Sequence, residues 1–436
     1  MYISAHTPEQ LELLWNALYT GMPRLEDLGV CVSDSAARSA GPRKLSAEDL
    51  PRLTRLTLPA RLFCQSWPNT LQALALRSHL GNDESAFDVM ESLDIDLISL
   101  ENYPSLRVLD VRDITLFQNP YSRPPPRTFP TLELLRIRSQ WDTISSLLPL
   151  LTFPPSTRVE IRIDPKRLPP LQRNLLVPGT ALDTVAALID HVAISSGPIS
   201  TIRGLIDGSE RLRITGNFDE WSVGQVSEIL RLFERSHTPV SRLLLAQHPT
   251  QRMPRSSEGW LICLAFPHVT HLTLHGRLAV CAAFIRALSP PVSYYAGSEQ
   301  ELPSLPHLKD LTVGVGTKRH SAMSVLLRRG DVARQTDGGI FVRIHFRECC
   351  RLFPRVLEAR GGRGYRLSRL EFFSYEEGCM ARPSSESVVS HVDLAAYEGN
   401  LVDRELAPLR ALVDGPVVFS GYRFFKDADE CLSEAT

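Results

Sequence analysis

Three histidines lie close together in the 436-residue chain, His268, His271 and His275, and histidine is a common zinc ligand. Their spacing argues against a shared ion. On a strand, His271 and His275 share a face and His268 points the other way. Four residues of strand separate the pair by roughly 13 Å, too far for one zinc held at about 2 Å by each ligand. An exposed repeat strand is expected instead. His345, Cys349 and Cys350 form a second group, with no further Cys or His pair at zinc spacing. The two cysteines fall in Arg347–Leu357, which reads as a helix, so apolar packing is expected; the alternative is a reactive thiol activated by Arg347 and Arg351. Gly314-Val315-Gly316-Thr317-Lys318-Arg319 resembles a phosphate cradle but lacks both the G-x-x-x-x-G-K-[ST] order and the third Gly of G-x-G-x-x-G. A loop after a strand is expected there. Arg360-Gly361-Gly362-Arg363-Gly364-Tyr365 is one basic Gly-rich run, read as a flexible turn rather than an RNA-binding segment. No H-E-x-x-H, G-x-S-x-G, kinase set or EF-hand loop is present. The expectation is a protein that is not an enzyme and needs no cofactor or metal.

Arginine offers another chemistry, because its planar fork matches carboxylate and phosphate groups. On the strands inferred below, the outward positions hold Arg55, Arg112, Arg136, Arg138, Arg158, Arg162, Arg211, Arg213, Arg242, His271 and Arg369. Asp110, Glu160, Asp310 and Glu371 share that face. The expected role is a positive stripe that binds an acidic or phosphorylated protein partner. The competing reading is a solvated polar strand face.

What must position these side chains is a phrase, Pro-x-Leu-x-x-Leu-x-aliphatic. It occurs at Met22-Pro23 to Val30, Leu50-Pro51 to Leu58, Tyr103-Pro104 to Val111, Phe129-Pro130 to Ile137, Phe266-Pro267 to Leu274 and Leu305-Pro306 to Val313. The phrase describes a short strand with alternate residues buried and a Pro turn leading into it. Degenerate copies lie at Pro68–Leu76, with one extra residue after the Pro, and at Val159–Ile163, Leu212–Ile214, Leu243–Leu245 and Leu370–Phe372. Recurrence at intervals of tens of residues signals a solenoid, and solenoids commonly act as binding surfaces.

Helical patterns alternate with the strands. Thr7 caps a helix with Pro8 at its first position, Gln10 completes a capping box, and Leu11, Leu14, Trp15 and Leu18 form its stripe. A second starts at Ser222, with Val226, Ile229, Leu230 and Phe233 as its stripe. Further helices are expected over 85–93, 143–151, 182–192, 278–288 and 322–327. Loops are expected over 34–42, 119–127 and 378–387. A helix over 403–413 and a strand over 416–424 would cap the array near residues 400–436. One strand per helix fits an α/β fold: an irregular leucine-rich-repeat solenoid over residues 1–436, with a curved parallel sheet and helices on the convex side.

Net charge is −1, so bulk electrostatics do not call for nucleic acid or a membrane surface. The composition, 43% hydrophobic and 22% charged, is too apolar for a disordered chain. The eight cysteines are scattered, without disulfide-scaffold spacing. The N-terminus lacks the pattern of a signal peptide and no apolar run is long enough to span a bilayer. A monomer in the cytoplasm or nucleus is expected.

Phe129-Pro130-Thr131-Leu132-Glu133-Leu134-Leu135-Arg136-Ile137, followed by Leu147-Leu148-Pro149-Leu150-Leu151-Thr152-Phe153-Pro154-Pro155-Ser156-Thr157, resembles the leucine-rich-repeat region of F-box proteins of mushroom-forming fungi. Phe266–Leu274 and Leu305–Leu311 are written in the same style, and the resemblance spans roughly residues 10 to 375. It implies the substrate-binding part of a cullin-based ubiquitin-ligase receptor. The Leu-Pro-x-Glu-Ile/Leu opening of an F-box is absent from the sequence, so docking of the ligase adaptor would require an F-box upstream of Met1. The alternative roles are a stand-alone repeat scaffold and, third, an enzyme with an unrecognised site.

Overall fold

The structure is a computed structural model that describes residues 1–33, 36, 48–63, 67–77, 103–112, 126–164, 178–196, 200–216, 223–247, 262, 265–276, 278–288, 305–317, 350–377 and 403–425. Each phrase folds as a turn and a strand. The residue before the Pro accepts the N–H of the residue three positions on: Leu53 to Leu50 at 3.1 Å, Leu106 to Tyr103 at 3.1 Å, Leu132 to Phe129 at 3.2 Å, Leu308 to Leu305 at 3.2 Å. Pro sits second in this turn, where its fixed φ is already correct. Both ends of the turn are buried anchors. The next two N–H groups share the carbonyl of the residue just before the preceding strand: Thr54 and Arg55 on Glu26, Arg107 and Val108 on Gln72, Lys309 and Asp310 on Thr270. The first Leu of the phrase therefore closes the turn, and the second Leu and the aliphatic residue form the strand's buried pair.

The described chain forms two compact units. The first comprises Met1–Leu188 and Ser209–Glu220. Its sheet runs in the order β1 (Tyr2–Ala5), β2 (Asp27–Val32), β3 (Arg55–Pro59), β4 (Ala73–Arg77), β5 (Val108–Arg112), β7 (Leu134–Ser139), β9 (Arg158–Ile163) and β12 (Ser209–Gly216). All of these neighbours are parallel. A separate pair joins β6 (Arg127–Thr128) to β8 (Leu151–Thr152). Leu28, Leu56, Leu74, Leu109, Leu135, Val159 and Leu212 stand in one register row, each at 1% exposure or less, and form an aliphatic ladder through the core. The first helix (Pro8–Tyr19) has the expected capping box and buries the expected stripe. Trp15 from it meets Trp67 at 5.9 Å between ring centroids.

The second unit comprises Ile189–Gly208 and Trp221–Thr436. In its sheet β11 (Ser200–Ile206) pairs with β10 (His191–Ser196), which is followed in order by β13 (Arg242–Gln247), β14 (His271–Gly276), β15 (Asp310–Thr317), β16 (Arg369–Glu377) and β17 (Val417–Phe425). From β10 to β17 every pairing is parallel, but β10 and β11 are antiparallel. The expected all-parallel sheet is thus a mostly parallel one. The expected helix over 182–192 is also corrected: helix ends after Ala181–Ala186, and His191–Ser196 is a strand. Gly314 and Gly316 lie within β15, not in a loop after it. The helices over Leu278–Ala287 and 403–410 are present, as is β17.

Two helices end on the same hydrogen-bond motif. Residues 350–361 are helical, and beyond them Gly364 N–H reaches Gly361 O at 3.0 Å and Tyr365 N–H reaches Arg360 O at 3.0 Å. Gly364 has φ 83°. The basic Gly-rich run is therefore a Schellman helix end with glycine in the left-handed position, not a flexible turn. After the helix Val223–Arg235, His237 N–H binds Glu234 O at 3.1 Å and Thr238 N–H binds Phe233 O at 3.3 Å, with His237 at φ 48°. A Cβ in that conformation costs about 1–2 kcal/mol. His237→Gly is expected to stabilise the chain by about 1 kcal/mol, read as a rise in the urea midpoint at unchanged slope.

The expected helices over 85–93 and 322–327, the loops over 34–42, 119–125 and 378–387 except residue 36, the residues Ser222, His345, Arg347 and Cys349, and the stretch 426–436 lie outside the described residues. No helix among the described residues is long and apolar enough to cross a membrane.

Candidate recognition face

Alternation in the first unit leaves one side of every strand outward, and parallel register aligns those positions into rows. The row at the strand starts holds Asp27, Arg55, Ala73, Val108, Leu134 and Arg158 in order. Arg211 follows on β12, one residue before the Leu212 that pairs with Val159. Arg55 lies 3.7 Å from Asp27, and Arg211 donates to Ser156 O at 2.6 Å.

The middle row reads Asp110, Arg136, Glu160, Arg213 on β5, β7, β9 and β12. Its charges alternate, and they close on one another. Arg136 Nε lies 2.7 Å from Glu160, Arg158 lies 2.9 Å from Glu160 and 2.8 Å from Glu210, and Arg213 lies 2.8 Å from Glu210. Such exposed pairs contribute about 0–1 kcal/mol each to stability. Their effect is to neutralise this part of the face.

The row toward the strand ends differs. Arg77, Arg112, Arg138 and Arg162 stand side by side on β4, β5, β7 and β9. Neighbouring parallel strands are about 4.8 Å apart, so like charges are held next to one another. Among the described residues, Asp110 and Asp164 pair with members of the row. Asp110 binds Arg112 at 2.6 Å, and Asp164 lies 3.1 Å from Arg138 and 3.8 Å from Arg162. Arg77 has no ion-pair partner among the described residues, and its Nε is buried without an acceptor. The side chains remain reachable, at 36% exposure for Arg112, 39% for Arg138 and 50% for Arg162.

The structure thus brings together eight of the expected positions in the first unit and shows that they are not equivalent. Sequence reading overlooked Arg77, because the extra residue after Pro68 obscured the phase of that copy. The signal was present: Leu74-Ala75-Leu76-Arg77 has the phase of Leu109-Asp110-Val111-Arg112.

The second unit presents a different surface. Its first outward row is His191, Arg242, His271, Asp310 and Arg369. His271 Nε2 lies 2.9 Å from Asp310, and Arg369 binds Glu371 at 2.8 Å. Beyond that row the outward positions are largely apolar or buried. Ala193 and Leu244 are each 1% exposed and pack together, and His275 is buried with its ring edge-on to Phe373 at 5.0 Å. The expectation of an exposed His275 is therefore wrong, because Phe373 reaches it from two strands away across Gly314. His268 stacks on His307 at 6.0 Å. Among the described residues no three metal-binding side chains gather. Cys350 is buried, and burial, with Glu405 nearby, pushes its thiol up to about 12. That opposes the reactive-thiol alternative. Cys281 is likewise raised to about 12 by complete burial.

His191 is held below its ordinary value, first by burial and then by the Arg242 charge, against the opposing pull of Asp190. The unfolded chain therefore takes up this proton more readily than the folded one. Stability is complete above the ordinary histidine value of about 6.5 and is lost as pH falls through the lowered folded value. His191→Gln is expected to lose less stability than the wild type between pH 7.5 and 5.5 in urea unfolding. An identical loss would show that His191 does not contribute to the acid limb.

No protein-family model matches the chain, and a search of curated proteins returns no match.

Proposed function

We propose that the chain is an irregular leucine-rich-repeat solenoid that recognises a protein partner, as the substrate-binding part of an F-box-type ubiquitin-ligase receptor. The observation that carries the recognition reading is the outward face of the first unit, where Arg77, Arg112, Arg138 and Arg162 are aligned by strand register. Parallel pairing fixes the spacing between these side chains before any partner arrives, which limits the ordering cost of binding. Charge of one sign along this row steers an acidic or phosphorylated partner and sets its orientation more than it adds raw affinity. The ligase role is supported by the resemblance of the repeat phrases, and it needs an F-box upstream of Met1 to engage the adaptor. The protein acts as a monomer in the cytoplasm or nucleus and performs no chemistry itself.

The chain, tagged at its C-terminus and expressed from its own locus, should co-purify with the cullin adaptor. It should also co-purify with at least one partner whose cellular level rises when the chain is deleted. Partners recovered without the adaptor, at levels unaffected by the deletion, would establish a stand-alone scaffold instead.

A further inference from the structure

The outward face of the first unit also carries apolar side chains where a solvated strand would be polar. Ala73, Val108 and Leu134 stand side by side at the starts of β4, β5 and β7, each half-buried. Arginine bounds the three on either side, Arg55 on β3 and Arg158 on β9. The exposed Arg107–Glu133 pair lies just ahead of β5 and β7. An apolar centre with a charged rim is the anatomy of an interface hot spot, where the rim keeps water from the centre.

The same three strands end on arginine. Four residues beyond Ala73 comes Arg77, beyond Val108 comes Arg112, and beyond Leu134 comes Arg138. The flanking strands differ: β3 runs from Arg55 to Pro59, and β9 has arginine at both positions, Arg158 and Arg162. Four residues of strand span roughly 13 Å. The face therefore presents an apolar stripe and a guanidinium stripe at one fixed separation over β4, β5 and β7. Arg112 and Arg138 keep their carboxylate partners and still expose 36% and 39% of their side chains. The N–H and C=O groups of these strands are taken up by the sheet, so a ligand lying on the face is read through side chains alone.

We propose that the two stripes form a two-point site for an extended segment of the partner protein, with an apolar side chain against Ala73, Val108 and Leu134 and an Asp or Glu side chain against Arg112 and Arg138. The site deepens the recognition reading above and rests on it. In an extended segment, residues four apart project to the same side and lie roughly 13 Å apart. The matching motif is therefore an apolar and an acidic residue at that offset. The residue midway projects the same way and crosses Ala75, Asp110 and Arg136, where charges of both signs give it no single preference. The apolar end supplies affinity, and the acidic end fixes where the segment lies.

The test passes degenerate peptide pools over the immobilised full chain. One pool fixes Leu and Glu four residues apart, in both orders. Control pools replace the Leu by Ala, replace the Glu by Gln, or set Leu and Glu three or seven apart. An offset of three puts the two on opposite sides of an extended segment, and an offset of seven puts them on one face of a helix. The wild type is expected to retain the first pool about tenfold better than the Ala pool. It should also retain it several-fold better than the Gln pool, a difference that fades with added salt. Val108→Thr/Leu134→Thr keeps strand-forming side chains and should erase the preference for Leu over Ala while leaving that for Glu over Gln. Arg138→Gln should do the reverse, so the preference each variant keeps shows that its face is still folded. Equal retention of the Leu and Ala pools overturns the proposal, as does a preference for an offset of three or seven. A Leu preference that survives Val108→Thr/Leu134→Thr overturns it too. Self-association of the wild type that this double variant abolishes would assign the patch to a second copy and overturn it as well. If the pools fail while the cellular partner still requires Arg138 and Arg162, the two-point site is wrong and the recognition face stands; if the partner is also indifferent to them, both fall.

Discussion

Gly314→Ala and Phe373→Ala should each destabilise the second unit, and the pair together should cost less than the two added. Phe373 is fully buried on β16, with its ring lying across Gly314 on β15 and edge-on to His275 on β14. A Cβ on Gly314 would overlap that ring. Removing the ring forfeits about 3–5 kcal/mol of packing. Adding the methyl forces the ring or the strand to move, at about 1–3 kcal/mol. In the Phe373→Ala background the methyl meets no ring, so the second change should be close to neutral there, or mildly favourable because glycine is a poor strand residue. The coupling is read by urea unfolding of the four proteins. Simple additivity would mean that the ring does not depend on the missing side chain of Gly314.

Arg360→Ala is expected to cost about 1.5–3 kcal/mol, the range for a hydrogen bond made by a charged group, with little recovered by Arg360→Lys. Arg360 is 1% exposed. Its Nη2 donates to the Leu305 carbonyl at 2.9 Å. Leu305 has φ 54°, a conformation that costs a leucine energy, and its carbonyl also closes the turn that starts β15 through Leu308 N–H at 3.2 Å. The same arginine's own carbonyl accepts from Tyr365 in the helix end described above. One side chain therefore ties the helix over 350–361 to the turn before β15. Thermal or urea unfolding of the two variants would measure the loss. A wild-type midpoint in Arg360→Ala would show that the Leu305 turn holds without it.

The turn-and-strand unit was legible because its causes are local. Pro sets φ at the second turn position, and Leu and aliphatic residues at fixed offsets bury the turn's end and the strand's inner face. The N-terminal helix was legible for the same reason, since Thr7 and Gln10 cap it within one turn. The strand His191–Ser196 was not, because Leu182, Val185, Ala186, Ile189 and Val192 keep helical spacing past the point where the helix stops. What makes the later residues a strand is pairing with Arg242–Gln247, some fifty positions on. His275 failed for a related reason: alternation places it outward, but its cover is Phe373, nearly a hundred residues away in sequence. In the recognition face, each arginine's outward direction followed from its own strand. Which of them were neutralised did not, since that depends on the register that puts Glu160 between Arg136 and Arg213 and leaves Arg77, Arg112, Arg138 and Arg162 side by side.

The central claim, that the first unit binds its partner through the end row of arginines, is tested most directly by charge reversal. The partner recovered with the wild-type chain would be titrated against Arg138→Glu/Arg162→Glu and against Arg242→Glu/Arg369→Glu in the second unit, with thermal unfolding confirming that each variant is folded. The account predicts that the first pair weakens binding by about a hundredfold or more, that added salt weakens the wild type, and that the second pair changes little. Equal affinity for the wild type and Arg138→Glu/Arg162→Glu would contradict it.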